Sequence, residues 1–232
     1  RETTGRKPVL VVKGGRTSEG AQSTVSHTAS LAVADDIFDS AMRQAGVLRV
    51  YTIDELVRTL RGFLNMPLPT GPAMAFVTYS GAQAIMSVDT AIEEGLRIAR
   101  LGEAARERIG RVIATPSKLK NPIDIFPDMA VHGFEKTSIE ILEALMEDDQ
   151  VNGIVFISFA NFGEEPYRPL VEALQGRCTK PVFFALLGTR KDFQIAQSYL
   201  ETNGFPCYEI PEMAVRVFSR MWRYARRRTE TT

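Results

Sequence analysis

His27 is the residue of this sequence best suited to covalent chemistry, and it lies in a polar stretch, Ser23–Leu31. Neutral imidazole is a good nucleophile near pH 7, and neighbouring groups easily tune its charge state. Such a side chain can accept a phosphoryl group. A lone histidine among hydroxyl side chains can equally be a solvent-exposed residue without a role. The predicted length of the surrounding loop, in which no turn requires a histidine, favours the chemical interpretation.

A second candidate is the end of an apolar run, Phe76–Ala84, where a predicted strand gives way to a helix. The unpaired N–H groups and positive dipole at a helix start attract anions. We therefore predict a phosphate contact at Ser80, Gly81 and Ala82. A Ser-Gly pair can also serve only to turn the chain tightly.

Two other features have structural explanations. Asp124 lies between Ile123 and Ile125, so its carboxylate is expected to accept hydrogen bonds rather than to react. The basic residues near the end of the chain recur at helical spacing and predict the solvated face of a helix rather than a nucleic-acid site. These residues are Arg220, Arg223, Arg226, Arg227 and Arg228.

Short Val-, Ile- and Phe-rich runs alternate with helical periodicity, which predicts an α/β fold with parallel sheets flanked by helices. The predicted strands are Pro8–Val12, Val47–Tyr51, Ala73–Thr78, Leu96–Leu101, Pro122–Phe126, Gly153–Phe159, Pro181–Leu187 and Pro206–Ile210. The predicted helices are Asp35–Gln44, Thr52–Leu64, Ala82–Glu94, Glu103–Val112, Phe134–Met146, Tyr167–Gln175, Phe193–Asn203 and Glu212–Arg227. A long loop is predicted from Gly14 to about Ser30.

The prolines of residues 67–72 indicate a linker. It separates a partial domain, residues 1–66, from a complete flavodoxin-like domain, residues 73–228. The sequence starts without Met and almost directly at a strand, from which we expect a piece of a longer chain.

Composition excludes several classes of partner. Lys plus Arg and Asp plus Glu each total 28, so net charge draws the chain neither to nucleic acid nor to a membrane surface. Two cysteines are too few for a disulfide framework or a cysteine-based zinc site, and we predict no metal site. Without an apolar run of about 18 residues or a signal-peptide core, the expected location is cytoplasmic.

Four segments together resemble the superfamily of ADP-forming acetyl-CoA synthetase and succinyl-CoA synthetase. They are Lys7–Thr17, Ser26–Ala32, Asp36–Asp39 and Gln44–Val47. That family has a K-x-G-R-[ST] strand end and an S-H-T-G-S-L-A loop whose histidine is phosphorylated, and His27 matches this histidine. Asn121–Asp124 matches the N-P-[VI]-D element of the family's other ligase-CoA domain.

The resemblance implies one partial and one complete ligase-CoA domain of an NDP-forming acyl-CoA synthetase. It implies an acyl phosphate and a phosphohistidine at His27, with Ser26, Thr28, Ser80, Gly81 and Ala82 contacting phosphate. CoA, ATP or ADP and Mg²⁺ are implied for the full-length enzyme, whereas this fragment is expected to bind no cofactor alone.

The implied partners are a CoA-binding Rossmann domain, an ATP-grasp domain, a small carboxylic acid and CoA, in a homo- or hetero-oligomer. Residues 79–84 depart from the family's Asn-Ala-Gly-Gly-x-Gly turn by having fewer glycines. A catalytically degenerate CoA- or nucleotide-sensing module fused to another activity is therefore an alternative. A flavodoxin-like electron carrier is a third.

Overall fold

The computed structural model describes residues 2–28, 33–113 and 119–231. The described chain forms two compact units, the first made of residues 1–60 and 223–232 and the second of residues 61–222. Each unit contains a parallel sheet flanked by helices, as predicted.

The first unit contains a two-stranded parallel sheet, in which Leu10 pairs with Leu48 and Val12 with Val50. Its elements are α1 (Glu2–Arg6), β1 (Leu10–Val12), α2 (Ser18–Thr28), α3 (Asp35–Ala45), β2 (Leu48–Val50) and the start of α4 (Ile53–Asn65). A capping box starts α4. The Glu55 N–H donates to Thr52 Oγ1 at 3.0 Å, and the Glu55 carboxylate accepts from the Tyr51 N–H at 2.7 Å.

The predicted loop from Gly14 to about Ser30 is wrong over residues 18–28, which form α2. Thr17 starts this helix, because its hydroxyl accepts the Gly20 N–H at 3.1 Å. Two polar side chains then bond back by one turn, Ser23 to the Glu19 carbonyl and Thr24 to the Gly20 carbonyl. The hydroxyl-rich sequence is thus satisfied inside a helix, although its composition indicated a loop.

The second unit is larger and contains the remaining elements, except for the end of the last helix, from residue 223, which belongs to the first unit. They are β3 (Ala73–Thr78), α5 (Gly81–Glu93), β4 (Arg97–Ile98), α6 (Glu103–Ile109), β5 (Ile123–Asp124), α7 (Phe126–His132), α8 (Phe134–Glu147), β6 (Gly153–Phe159), α9 (Arg168–Leu174), β7 (Val182–Leu187), α10 (Arg190–Thr202), β8 (Cys207–Tyr208) and α11 (Pro211–Thr231). A short 3₁₀ turn, Glu165–Tyr167, precedes α9. Helix α7 was not predicted.

The sheet of the second unit has the order β4-β3-β6-β7-β8, with β5 also paired to β3. In order of appearance this is the 2-1-3-4-5 arrangement of flavodoxin-like folds. The outer edge of β3 is divided, since Ala73 and Met74 pair with β4 whereas Val77 and Thr78 pair with β5.

The Asn121 side chain fills the gap between these two pairings. Its oxygen accepts the Phe76 N–H at 2.9 Å, and its nitrogen donates to the carbonyls of Met74 at 2.7 Å and Ala99 at 3.1 Å. One side-chain amide thus takes the place of a strand backbone beside β3.

The core of the second unit lies on both faces of β3, β6 and β7, whose apolar side chains are almost completely buried except for Phe159 and Leu187 at the strand ends. Helix α11 packs one face, including Phe218 and Met221, and exposes Arg216, Arg223 and Arg226. Of the five arginines predicted to lie on a solvated face, Arg223, Arg226 and Arg228 are exposed, whereas Arg220 and Arg227 are partly buried.

The boundary between the units falls inside α4, so residues 67–72 lie within the second unit. The last turn of α4 is tightly packed there, since a Cβ on Gly62 would lie 2.5 Å from Val217. Met66 is 8% exposed, and its sulfur accepts the Val182 N–H at 3.3 Å.

The helices of the described residues include none with an apolar stretch long enough to span a membrane.

Candidate functional site

The carboxyl ends of β3 and β6 lie side by side in the second unit, with Thr78 paired to Ile157. In a sheet of this order, they flank the point where the strand order reverses. Ligands of open α/β sheets bind outside the carboxyl ends of strands at such a switch point. The candidate phosphate contact at Ser80, Gly81 and Ala82 follows β3 directly, so the fold places these residues where a ligand is expected.

The turn between β3 and α5 is held by Thr78, which is 1% exposed. The Thr78 hydroxyl accepts the Ser80 N–H at 2.9 Å and donates to the Ser80 carbonyl at 2.8 Å. Backbone bonds fix both sides, because the Tyr79 N–H donates to the Ile157 carbonyl and the Ile125 N–H to the Thr78 carbonyl. The start of α5 is therefore positioned by both neighbouring strands.

The first turn of α5 is open to an external acceptor. Ser80 is the N-cap in an extended conformation, and its side chain makes no capping hydrogen bond. Gly81 and Ala82 are exposed, and a Cβ built on Gly81 meets no atom within 4 Å. The helix thus presents N–H groups and its positive dipole end to open space, which suits a phosphate.

Asp124 has the structural role expected from its position. Its Oδ1 accepts the Phe126 N–H at 3.2 Å, at the point where α7 begins. This bond satisfies the carboxylate locally and turns the chain away from β5.

The structure places Ser26, His27 and Thr28 in the last turn of α2. Their side chains lie outside the described part of the molecule, as do residues 29–32 of the same motif. The phosphohistidine role of His27 and the phosphate contacts of Ser26 and Thr28 therefore stay predictions.

The residues that precede α2 are tightly arranged. Gly15 has a φ of +65°, and a Cβ there would lie 2.6 Å from Thr24 Oγ1 and 3.3 Å from the Gly20 carbonyl oxygen. Only glycine adopts this conformation readily and also leaves room for the helix. The second glycine of the Lys13–Thr17 motif thus sets how closely α2 approaches the strand end.

A charged cluster beside this turn was missed at the level of sequence. Asp35 lies 2.6 Å from the Arg49 guanidinium and 3.5 Å from Lys13 Nζ, and Arg49 also lies 3.3 Å from Asp39. The Arg49 guanidinium is also 5.5 Å from the ring centroid of Phe38.

The cluster is held by Arg49, whose side chain is only 6% exposed. The hydrogen bond from Arg49 is the main cause that lowers the pKa of Asp35, and the same bond raises the pKa of Arg49. The sequence feature that could have indicated this cluster is a single arginine between the buried Leu48 and Val50, at a strand position that faces the opposite side of the sheet. At the start of α3, Asp36 accepts the Ile37 N–H, whereas Asp35 bonds to Arg49.

Comparison with known proteins identifies relatives over nearly the whole chain. Residues 1–63 match the family described as the succinyl-CoA ligase like flavodoxin domain. The chain is 34% identical over 226 residues to the ADP-forming acetate–CoA ligase II of Archaeoglobus fulgidus, a match that covers 97% of this chain and 33% of that protein. It is 30% identical to the alpha subunit of the ADP-forming acetate–CoA ligase II of Pyrococcus furiosus, covering 91% of this chain and 46% of that subunit.

A solved structure has the same fold. The dinucleotide forming acetyl-coenzyme A synthetase 1 of Ca. Korarchaeum cryptofilum, in complex with phosphate and ADP, superposes with a TM-score of 0.86 at 25% identity. The match covers 98% of this chain and 49% of that one. The chain is thus similar to ADP-forming acetate–CoA ligases throughout, and it spans a third to a half of their length.

Proposed function

We propose that this chain is the phosphohistidine-bearing part of an ADP-forming acyl-CoA synthetase, with His27 as the residue that carries the phosphoryl group. The observation that carries the proposal is the similarity to ADP-forming acetate–CoA ligases over 97% of the chain. The open first turn of α5 supports it independently, because a helix start without a side-chain cap, at the switch point of the sheet, suits an anion.

The proposed reaction converts a carboxylic acid, CoA and ATP into acyl-CoA, ADP and phosphate, and it is reversible. In the direction of ATP synthesis, a phosphate oxygen attacks the thioester carbonyl, which gives an acyl phosphate and releases the CoA thiol. A nitrogen of His27 then attacks the phosphorus, and the carboxylate leaves. The β-phosphate of ADP takes the phosphoryl group from His27, which restores the neutral imidazole.

The starts of α5 and α2 contribute to the proposed reaction. The first turn of α5 holds phosphate oxygens through Gly81 and Ala82, and its fixed dipole stabilises their charge without reorganisation. Gly15 and Thr17 position the start of α2, the helix whose last turn contains His27. CoA, the nucleotide and Mg²⁺ are bound by the complete enzyme, and no group of three metal-ligating side chains lies in the described ranges.

The test uses the complete protein and both histidines of the chain, His27 and His132. Wild-type protein incubated with ATP labelled at the γ-phosphate and Mg²⁺ is expected to gain an acid-labile, base-stable label. His27→Asn removes the label and acyl-CoA formation, whereas the matched His132→Asn variant keeps both. Normal acyl-CoA formation by His27→Asn would overturn the proposal.

The degenerate sensing module remains the second candidate, because the turn at Tyr79–Ala84 has a single glycine. In that case the complete protein binds CoA or a nucleotide in a calorimetric titration, yet neither label nor turnover follows. Flavin absorbance of the purified protein would instead indicate an electron carrier.

A further inference from the structure

Helix α4 carries a row of large apolar side chains on its outer surface. They are Ile53, Val57, Leu60 and Leu64, which together form the α4 seam. Ile53 is 65% exposed, Val57 43%, Leu60 37% and Leu64 79%. Single exposed apolar residues are common on soluble proteins, whereas a contiguous row of them marks an interaction surface.

The spacing of the α4 seam places its four side chains on one line along the helix. Steps of four, three and four residues keep them within an arc of about 60° around the helix axis. This is the alternating spacing by which helices pair in coiled coils. Thr59 and Gly62, on the opposite side of α4, are buried. The seam is therefore not the face by which α4 packs against its own chain.

The order of the steps makes the α4 seam complementary to itself. Because the spacing reads the same in both directions, a second copy of α4 that runs antiparallel places Ile53 opposite Leu64 of that copy. The same arrangement places Val57 opposite Leu60 of the second copy. One two-fold axis perpendicular to the helix thus pairs every residue of the seam, as an isologous interface requires.

The flanks of the seam favour the antiparallel orientation. One flank has the charged residues Asp54 and Arg61, and the other has the apolar residues Leu56 and Phe63. In a two-fold antiparallel pair equal flanks meet, so Asp54 faces Arg61 of the second copy and the apolar flanks close on each other. A parallel pair would set each charged flank against an apolar one, which costs solvation of the charges.

Both charged side chains of the flank reach the surface, although each has a partner within its own chain. The Asp54 side chain is 61% exposed and pairs with Arg58 at 2.6 Å. The Arg61 side chain is 33% exposed and pairs with Glu201 at 2.8 Å. Charges at the edge of a contact set orientation and partner choice more than affinity, and here they complement those of a second copy.

We propose that two copies of this protein associate through their α4 seams, in an antiparallel helix pair about a two-fold axis. The inference does not depend on the proposed function, because no residue of the seam takes part in the proposed phosphoryl transfer. Helix α4 has 13 residues and is therefore about 20 Å long. A contact of this length is small among specific interfaces, so we expect a dissociation constant in the micromolar range.

The first test measures association of the complete protein by sedimentation velocity over a range of concentrations. Ile53→Glu and Leu64→Lys each place a charge against an apolar side chain, so each should weaken association about tenfold or more. The combined variant places opposite charges across the two-fold axis and should recover most of this loss. Ile92→Glu is the matched control, because Ile92 is 59% exposed on α5, outside the seam, and its replacement should change nothing.

The second test reads the register directly, whatever other contacts the complete protein makes. Val57→Cys and Leu60→Cys proteins are mixed and oxidised, and the mixture should form more disulfide-linked dimer than either variant alone. The reason is that the antiparallel register sets these two positions opposite each other. Asn65→Cys, at an exposed position outside the seam, should form no more dimer than wild type, which retains Cys178 and Cys207.

Three results would overturn the proposal, and each leaves the proposed function standing. The first is unchanged association of Ile53→Glu and Leu64→Lys together with no cross-link in the mixture. The second is a lower melting temperature of Leu64→Lys without weaker association, since it would identify another segment of the complete protein as the cover of the seam. The third is a combined variant that associates more weakly than both single variants, because like charges meet only in a parallel pair.

Discussion

The substitution of Asn121 tests how the structure positions the start of α5. Asn121 completes the edge of β3 through three hydrogen bonds, to the Phe76 N–H and to the carbonyls of Met74 and Ala99. The three backbone groups belong to residues that are at most 4% exposed. Asn121→Ala removes every one of these bonds at once and leaves buried backbone groups without partners.

The magnitude follows from this count. A typical hydrogen bond contributes about 0.5–1.5 kcal/mol net, and a buried group left unsatisfied costs about 1–3 kcal/mol. Because Asn121 is only partly buried, water can reach some of the vacated groups. We therefore expect the free energy of unfolding to fall by about 2–4 kcal/mol in total. At about 2–4 °C per kcal/mol for a unit of this size, the melting temperature should fall by about 4–16 °C.

The assay is urea unfolding of each variant, followed by circular dichroism, together with differential scanning calorimetry. Asn65→Ala is the matched control, because Asn65 makes one exposed bond to the Arg61 carbonyl, and its replacement should change stability by less than about 0.5 kcal/mol. Asn121→Asp keeps the side-chain volume and the acceptor for Phe76 but turns a carboxylate toward two carbonyls. It should be at least as destabilising as Asn121→Ala.

Two results would refute the reasoning. If Asn121→Ala lost no more stability than Asn65→Ala, the amide would not substitute for a strand at this edge. If Asn121→Asp were as stable as wild type, the two donated bonds would contribute nothing.

Two further predictions concern charge. Arg49→Met should lower the urea midpoint at pH 7, and the exposed Arg43→Met should not. Asp35, whose pKa Arg49 lowers, stabilises the fold above its unfolded pKa of about 3.9 and loses this effect as pH falls, so the Arg49→Met deficit should shrink on acidification to about pH 3.5. A constant deficit contradicts this. Gly81→Asp should reduce transfer of the labelled γ-phosphoryl group from ATP to His27 about tenfold or more, without lowering the melting temperature. The reason is that a carboxylate suits the positive end of a helix but repels phosphate. Gly81→Ala adds no charge and should show normal transfer of the label.

The buried elements of the second unit were predictable from sequence. Strands β3 and β6 have the predicted bounds, Ala73–Thr78 and Gly153–Phe159, because both are continuous apolar runs enclosed by helices. Helix α8 differs from its prediction by one residue, since it ends at Glu147 rather than Met146. Burial on both faces leaves a strong pattern in the sequence, and these elements carry it.

The polar elements were not predictable in the same way. Helix α2 has no apolar stripe, and it depends on the Thr17 cap and on hydroxyl groups that bond back to its own carbonyls. The position of Asp35 depends on Arg49, fourteen residues away, which no local pattern encodes. At the candidate site, Ser80 to Ala82 could be placed because they follow a strong strand. A pocket lined by aromatic side chains combines residues of α7, α8 and β6, and it could be recognised only from the three-dimensional structure.

Both edges of the sheet in the second unit end in two-residue strands, β4 and β5 on one side and β8 on the other. Edges this short give an incoming extended chain too few backbone partners to pair with, which limits strand addition and aggregation. Assembly with other subunits is therefore expected to use helical and loop surfaces. Fusion partners or engineered interfaces that rely on sheet extension should fail on this scaffold.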